Sequence, residues 1–246
     1  MYINLSREQG ICILSLNRPG TNSLQQDLLD ELYAAITGIS HDEAVKAVIL
    51  TSSLPFGFSS GLDLGSFQGT HAAFAKNVYR AVYKTFQIVQ SITACPKIYI
   101  AALAGPVIGS GSSIALACDL RIAAVGTWFW LPDPQYGGLL GDGGLVRLAQ
   151  ITGIGRAAML ALTNERINLD TADKWGLIYK TAPREILMET ALTAAARLCG
   201  LSPKTLEHHK KILNQTMQLQ FPGKALQKLL HSSETYQRFQ SYIKQK

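Results

Sequence analysis

Along the first hundred residues, short apolar runs alternate with longer stripes at helical spacing. The segment 2–5 and the run Ile11-Cys12-Ile13-Leu14-Ser15-Leu16 flank Glu8-Gln9-Gly10, a β-hairpin pattern. Asn17-Arg18-Pro19-Gly20 breaks it. Ser23 is placed to cap a helix over 24–39, in which Leu28, Leu29, Leu32, Ile36 and Ile39 share one face. A strand over 45–51 follows, with Val48, Ile49 and Leu50 in a row. This β-β-α-β order predicts an α/β fold whose strands are covered by helices. The next stripe, Phe74, Val78, Val82, Phe86 and Val89, predicts a helix over 72–94.

The second half repeats the alternation and then loses it. An apolar run over 98–103 feeds a stretch of small residues, and 114–118 suits a buried helix. Strands are predicted over 120–124 and 128–131, with Pro132-Asp133-Pro134-Gln135 as a turn. A glycine-rich loop over 137–144 opens a helix over 145–150, and a further helix covers 156–163. A short helix over 169–175 ends at Gly176, before a last strand over 177–181. From Glu185 onward the pattern is helical: one segment to Leu198, another opened by Ser202-Pro203, and a last one after Pro222-Gly223. The change in composition divides the chain into a core over 1–195 and a helical part over 196–246.

Composition narrows the class without naming a ligand. The chain has 246 residues, 47% hydrophobic and 16% charged, enough for one large domain or two small ones. No charge-free apolar run reaches about 20 residues, so no transmembrane helix is expected. The N-terminal residues lack the layout of a secretory leader or a transit peptide, and Lys244-Gln245-Lys246 is not a peroxisomal signal. The cytoplasm is the expected compartment. Cys12, Cys95, Cys118 and Cys199 have no metal-type spacing and read as reduced, mostly buried small hydrophobes. The histidines form no metal motif either, and His208-His209 reads as a solvated helix face.

The net charge of +6 suits an anionic ligand. Basic residues crowd toward the end, at Lys204, Lys210, Lys211, Lys224, Lys228, Arg238, Lys244 and Lys246. No aromatic-interleaved basic patch marks a nucleic-acid site. The glycine-rich loop lacks the Gly-Lys-Ser/Thr of a phosphate loop.

The candidate chemistry begins at the small-residue stretch over 103–119. There a strand enters Gly109-Ser110-Gly111 and leaves as a helix, which points free backbone N–H groups at one spot. Such a spot holds an anion or a developing oxyanion, or else the glycines only allow close packing. A second strand-to-turn element, over 58–64, follows the strand at 45–51. Together the two elements supply the minimum for a two-donor oxyanion hole.

Five segments resemble the crotonase (enoyl-CoA hydratase/isomerase) superfamily, in the right order and over essentially the whole chain: Asn17-Arg18-Pro19, Asn22-Ser23-Leu24, 58–64, 104–119, and 162–167 followed by 172–177. The resemblance implies a spiral of repeated ββα units. It also implies that the helical part over 196–246 packs against neighbouring subunits in a homotrimer or hexamer. The ligand it implies is an acyl thioester, on coenzyme A or a carrier protein, with no metal or redox cofactor.

Matched residue by residue, the resemblance puts the two oxyanion N–H groups on Leu62 and Ser110. Hydratases of the family use two glutamates. The first position falls on Ser113, which cannot act as a carboxylate base, and the second on Asp133. That pattern is nearest to the Δ3,Δ2-enoyl-CoA isomerases, in which one carboxylate shifts a proton between two carbons. Without the family, Asp133 reads as a turn residue capping local N–H groups. Asp142 resembles the aspartate of carbon–carbon bond hydrolases, or N-caps the following helix. A non-catalytic acyl-CoA- or protein-binding homologue is a further reading. The family also implies adenine binding by backbone groups near Phe58 and Ser60, and phosphates facing Arg18 and Lys244 or Lys246, although surface lysines are more often solvated. Phe67, Phe74 and Tyr79 either shape the acyl pocket or pack in the core.

Overall fold

The computed structural model describes residues 1–215 and 220–244. The opening hairpin is β1 (Ile3–Glu8) and β2 (Ile11–Leu16), paired antiparallel. Helix α1 (Gln26–His41) leads to β3 (Ala47–Ser52), and helix α2 (His71–Ala94) leads to β4 (Ile98–Leu103). A short β5 (Pro106–Ile108) and helix α3 (Ser110–Ala117) precede β6 (Leu120–Ala124). Then come β7 (Trp128–Trp130), α4 (Gly144–Thr152), α5 (Ile154–Thr163), β8 (Arg166–Asn168), α6 (Leu169–Lys174) and β9 (Lys180–Ala182). Helices α7 (Leu187–Cys199), α8 (Pro203–Gln215), α9 (Gly223–Leu230) and α10 (Ser233–Lys244) complete the described chain.

The main sheet has the order β1-β2-β3-β4-β6-β9, and every pairing beyond the hairpin is parallel. A smaller sheet has the order β5-β7-β8. The expected α/β class is therefore the observed one. The central strands read as unbroken apolar runs because both faces of the sheet are covered. Leu14, Leu16, Val48, Leu50, Tyr99 and Leu103 enter one core with α1, α2 and α3. Their neighbours Ile11, Ile49, Ile100 and Ile122 enter a second core under α7. The cysteines are free, three of them buried and Cys199 partly so. Among the described residues no helix is long and apolar enough to cross a membrane.

Several expectations shift. Ser23 does not cap α1, whose N-cap is Gln25 without a side-chain bond. Ser23 instead donates its hydroxyl to Asp63 at 3.3 Å. The last strand begins at Lys180 rather than at 177, because Leu177 and Ile178 turn into the core as loop. The expected break at 195 falls inside α7, which packs across the sheet. The segment after Pro222 is two helices rather than one, and Leu226, Leu230 and Phe239 join the main core of their own chain.

The counted basic tail also changes character. Lys210 is buried, and its Nζ donates to the carbonyls of Ile92 and Lys97 and to Asp119 Oδ2, at 2.9, 2.9 and 2.8 Å. It pins α8 to the core.

Candidate active site

Two turns are locked together beside the main sheet. The N–H groups of Phe58 and Ser59 donate to the carbonyl of Pro106 at 3.2 and 3.3 Å, and Ile108 donates back to Ser59 at 3.1 Å. Asn22 ties the N-terminal segment to the same place: its Nδ2 donates to the Phe58 carbonyl at 3.1 Å, and its own carbonyl accepts the Ser59 hydroxyl at 2.7 Å. Leu24 bridges Leu62 through the carbonyl of Gly61 and the amide of Asp63, which leaves the Leu62 N–H unspent. Ser110 opens α3, where the first N–H groups have no intrahelical acceptor. Among the described residues neither of these two amides donates a backbone hydrogen bond.

Gly61 makes the close approach possible. Its φ is +79°, and a Cβ there would stand 2.8 Å from the carbonyl oxygen of Ile108. Backbone, not a yielding side chain, fills that space. Gly61→Ala is expected to push the two turns apart, to destabilise the protein by roughly 1–3 kcal/mol, and to cost turnover beyond the unfolded fraction. Thermal unfolding with activity per folded molecule checks both effects.

The turns open on a cavity of about 140 Å³. Ser60, Leu62, Gly109 and Ser110 form its polar rim, and Asp133 and Trp130 share it. Its apolar wall is Val78 and Val82 from α2, Leu226 and Leu230 from α9, and Phe239 from α10. The structure thus brings Leu62, Ser110, Asp133 and Ser60 together.

Asp133 starts a 3-10 turn, Asp133–Tyr136. Its carbonyl, not its carboxyl, serves the turn by accepting the Gly138 N–H at 2.8 Å. The carboxyl Oδ2 is shut off from solvent and has no hydrogen-bond partner among the described residues. Burial, helped by the charge of Asp142, pushes this carboxyl from its ordinary 3.8 up to about 7, against the pull of its own amide. A carboxyl so placed changes protonation state near neutrality, which is what a general base requires.

Asp142 is buried and does not line the cavity. Ser113 donates its hydroxyl to Asp142 Oδ1 at 2.6 Å, and the amide of Gly144, the first residue of α4, donates to the same oxygen at 3.3 Å. Burial raises the Asp142 carboxyl, while the hydroxyls of Ser110 and Ser113 and the backbone amides of Gly144 and Asp142 hold it down.

The residues expected to hold coenzyme A divide. Arg18 is turned inward: one guanidinium nitrogen meets Asp63 Oδ2 at 3.0 Å and another meets the carbonyl and hydroxyl of Ser23. Gln25 donates to the same Asp63 oxygen at 2.8 Å. Arg18 therefore braces the residue after Leu62, and its guanidinium is not directed outward to a phosphate. Phe58 has a fully buried side chain, its N–H donates to Pro106 and its carbonyl accepts Asn22 Nδ2. Ser60 lines the cavity, with its N–H on Thr21 and its hydroxyl 2.8 Å from the Thr21 hydroxyl. Lys244 is exposed at the end of α10, and Lys246 lies outside the described residues. Phe67 and Phe74 are core residues, and Tyr79 packs edge-on against Phe221. Sequence reasoning missed Val78, Val82, Leu226, Leu230 and Phe239. Amphipathic spacing marked the first two as inward, and nothing marked which inward space they faced.

Comparison with known proteins gives one consistent match. The profile of the enoyl-CoA hydratase/isomerase family covers residues 6–242. A crotonyl-CoA hydratase of Syntrophomonas wolfei is 33% identical over 217 residues, 88% of this chain and 82% of that protein. The crystal structure of an enoyl-CoA hydratase from Bacillus anthracis superposes with a TM-score of 0.84 at 28% identity, covering 100% of this chain and 97% of the other. A monofunctional enoyl-CoA isomerase from M. smegmatis gives 0.74 at 29% identity, over 87% and 93%.

Proposed function

Because the chain belongs to the enoyl-CoA hydratase/isomerase family, we propose that it moves the double bond of a 3-enoyl thioester to the 2 position, with Asp133 as the base. One observation carries this reading: among the described residues the cavity holds a single carboxyl, Asp133, and the place of the family's other carboxylate is taken by Ser113, which is buried and does not line the cavity. The thioester carbonyl sits between the N–H groups of Leu62 and Ser110. Asp133 takes a proton from C2, the two amides hold the enolate, and the proton returns at C4. Each such donor is worth about 10²–10³ in rate when aimed at the developing oxyanion. The proton ends on the carbon chain it left, so the reaction calls for no metal or redox group.

The likeness to the isomerase of M. smegmatis agrees with this reading, and the likeness to the hydratases supports a second, addition of water to a 2-enoyl thioester. Hydration normally uses two carboxylates facing the substrate; here Ser113 stands at the first of those positions, and Asp142, the carboxyl it holds, does not line the cavity. The same placement weakens carbon–carbon bond cleavage through Asp142. The thioester is read as one of coenzyme A, in the cytoplasm. In a homotrimer or hexamer packed through the helical part over 196–246, exposed apolar side chains there such as Leu201 and Ile212, 53% and 61% exposed, would be covered.

The test is the absorbance of the conjugated enoyl thioester. Mixed with 3-hexenoyl-CoA, the protein is expected to build that band, and mixed with crotonyl-CoA in water it is expected to leave it nearly unchanged. Rapid loss of the crotonyl-CoA band would replace isomerisation by hydration. Indifference to both would remove isomerisation and hydration and leave carbon–carbon bond cleavage or a binding module to be tested.

A further inference from the structure

We propose that Leu230 sets the length of acyl chain this site accepts, as a plug one side chain thick between the cavity and a second cavity beside it. The proposal rests on the reading of the cavity as the acyl site of an enoyl thioester. Its warrant is a shared wall. The inner cavity, about 140 Å³, has its polar rim at Leu62 and Ser110 and Leu230 in its apolar wall. The outer cavity, about 220 Å³, is lined by Ala75 and Tyr79 of α2, by Gln227 and His231 of α9, and again by Leu230. Among the described residues Leu230 is the one that lines both.

Both cavities lie along the contact of α2 with α9. On α2, Ala75, Val78 and Val82 are three and four residues apart and so share a face. Ala75 faces the outer cavity, Val78 and Val82 the inner one. On α9, Leu226 and Leu230 are stacked in the same way, with Leu226 on the inner cavity alone. Leu230 is 1% exposed, whereas Lys76, Gln227 and His231 at the outer cavity are exposed to solvent. The backbone at the plug is tied down. His71 Nε2, on the first residue of α2, donates to the Leu230 carbonyl at 2.8 Å, and the His71 ring stacks on Tyr236 at 4.6 Å. Tyr236 in turn donates its hydroxyl to the Gly69 carbonyl at 3.0 Å. The Leu230 side chain, rather than the spacing of the helices, therefore decides whether the two spaces join. An apolar cavity of about 150 Å³ takes a six-carbon ring, so the inner cavity suits an acyl chain of about six carbons. A longer chain has to pass Leu230.

The experiment measures binding, which does not depend on turnover. Hexanoyl-CoA and decanoyl-CoA are titrated into the full-length protein by calorimetry. The unmodified protein is expected to bind hexanoyl-CoA at least about tenfold more tightly. Leu230→Ala is expected to erase that preference. Leu230→Val, a smaller excision that serves if Leu230→Ala does not fold, is expected to reduce it. Adding Gln227→Trp to either variant fills the outer cavity and is expected to restore the preference, which a general loosening of the core would not allow. The proposal is overturned by binding of neither thioester, by a preference absent from the unmodified protein, by one unchanged in the folded Leu230 variants, or by one that Gln227→Trp does not restore. The expected ratios in a protein that leaves 3-hexenoyl-CoA unchanged would leave the proposal standing and remove the isomerase reading. Unchanged ratios in a protein that isomerises 3-hexenoyl-CoA would do the reverse.

Discussion

Replacing Asp133 with asparagine is expected to lower kcat by about 10²–10⁴-fold, with KM near its original value, and at the same time to stabilise the fold above neutral pH. The first effect follows from position: Asp133 brings the cavity its only carboxyl among the described residues. The second follows from linkage. Folding raises this carboxyl from 3.8 to about 7, so the native state binds the proton more tightly than the unfolded chain does. The stabilisation from that proton is complete below the unfolded value and is lost as pH rises through about 7. Above that pH the enzyme carries a buried, unpaired charge, and asparagine removes it. The unmodified protein should accordingly lose kcat/KM as pH falls through about 7. Steady-state rates and urea unfolding, each measured across pH 5 to 9, check the pair of effects. An Asp133→Asn protein that keeps its rate would exclude Asp133 as the base.

Lys210→Met is expected to destabilise the protein by about 3–5 kcal/mol, because it strips the partner from a largely buried carboxylate and leaves two carbonyls without their donor. The lysine side chain is 4% exposed and Asp119 is 17% exposed, so little solvent compensates. Asp119 also accepts the amide of Tyr99 at 2.8 Å, and the damage therefore reaches β4 as well as α8. The measurement is the urea midpoint of the single variant and of the double variant with Asp119→Asn. The double variant should recover part of the loss, since it no longer buries an unpaired charge. Activity per folded molecule should stay near normal, since neither residue lines the cavity. An unchanged midpoint would mean that α8 is held by its apolar contacts alone.

Lys210 also shows where reading the sequence fails. In the sequence it is one more lysine in a basic helical tail, and its partner Asp119 lies 91 positions away. Spacing along a chain carries no information about that distance. Arg18 has the same history, being paired with Asp63 across 45 positions. Features set by short-range rules were legible. The strands of the main sheet show as apolar runs, and the strand-to-turn elements at Leu62 and Ser110 show as small residues after such runs. Asp133 was legible as a position, through its motif. Its shielding from solvent was not, since that depends on how the turn at 133–136 and α10 close over one another. The apolar wall from α9 and α10 was hidden for a similar reason: a stripe on a helix says that something covers it, and the tertiary fold decides what.

The two unspent amides at Leu62 and Ser110 have a consequence for anyone who would dissect this protein by mutagenesis. The genetic code replaces side chains, and the groups proposed to hold the enolate are peptide N–H bonds that every residue except proline supplies. An alanine scan would therefore score both positions as tolerant and report the site as a lone aspartate. Only atom-level editing of the polypeptide, such as an amide-to-ester exchange installed by ligating a synthetic segment, removes one donor and leaves the shape intact.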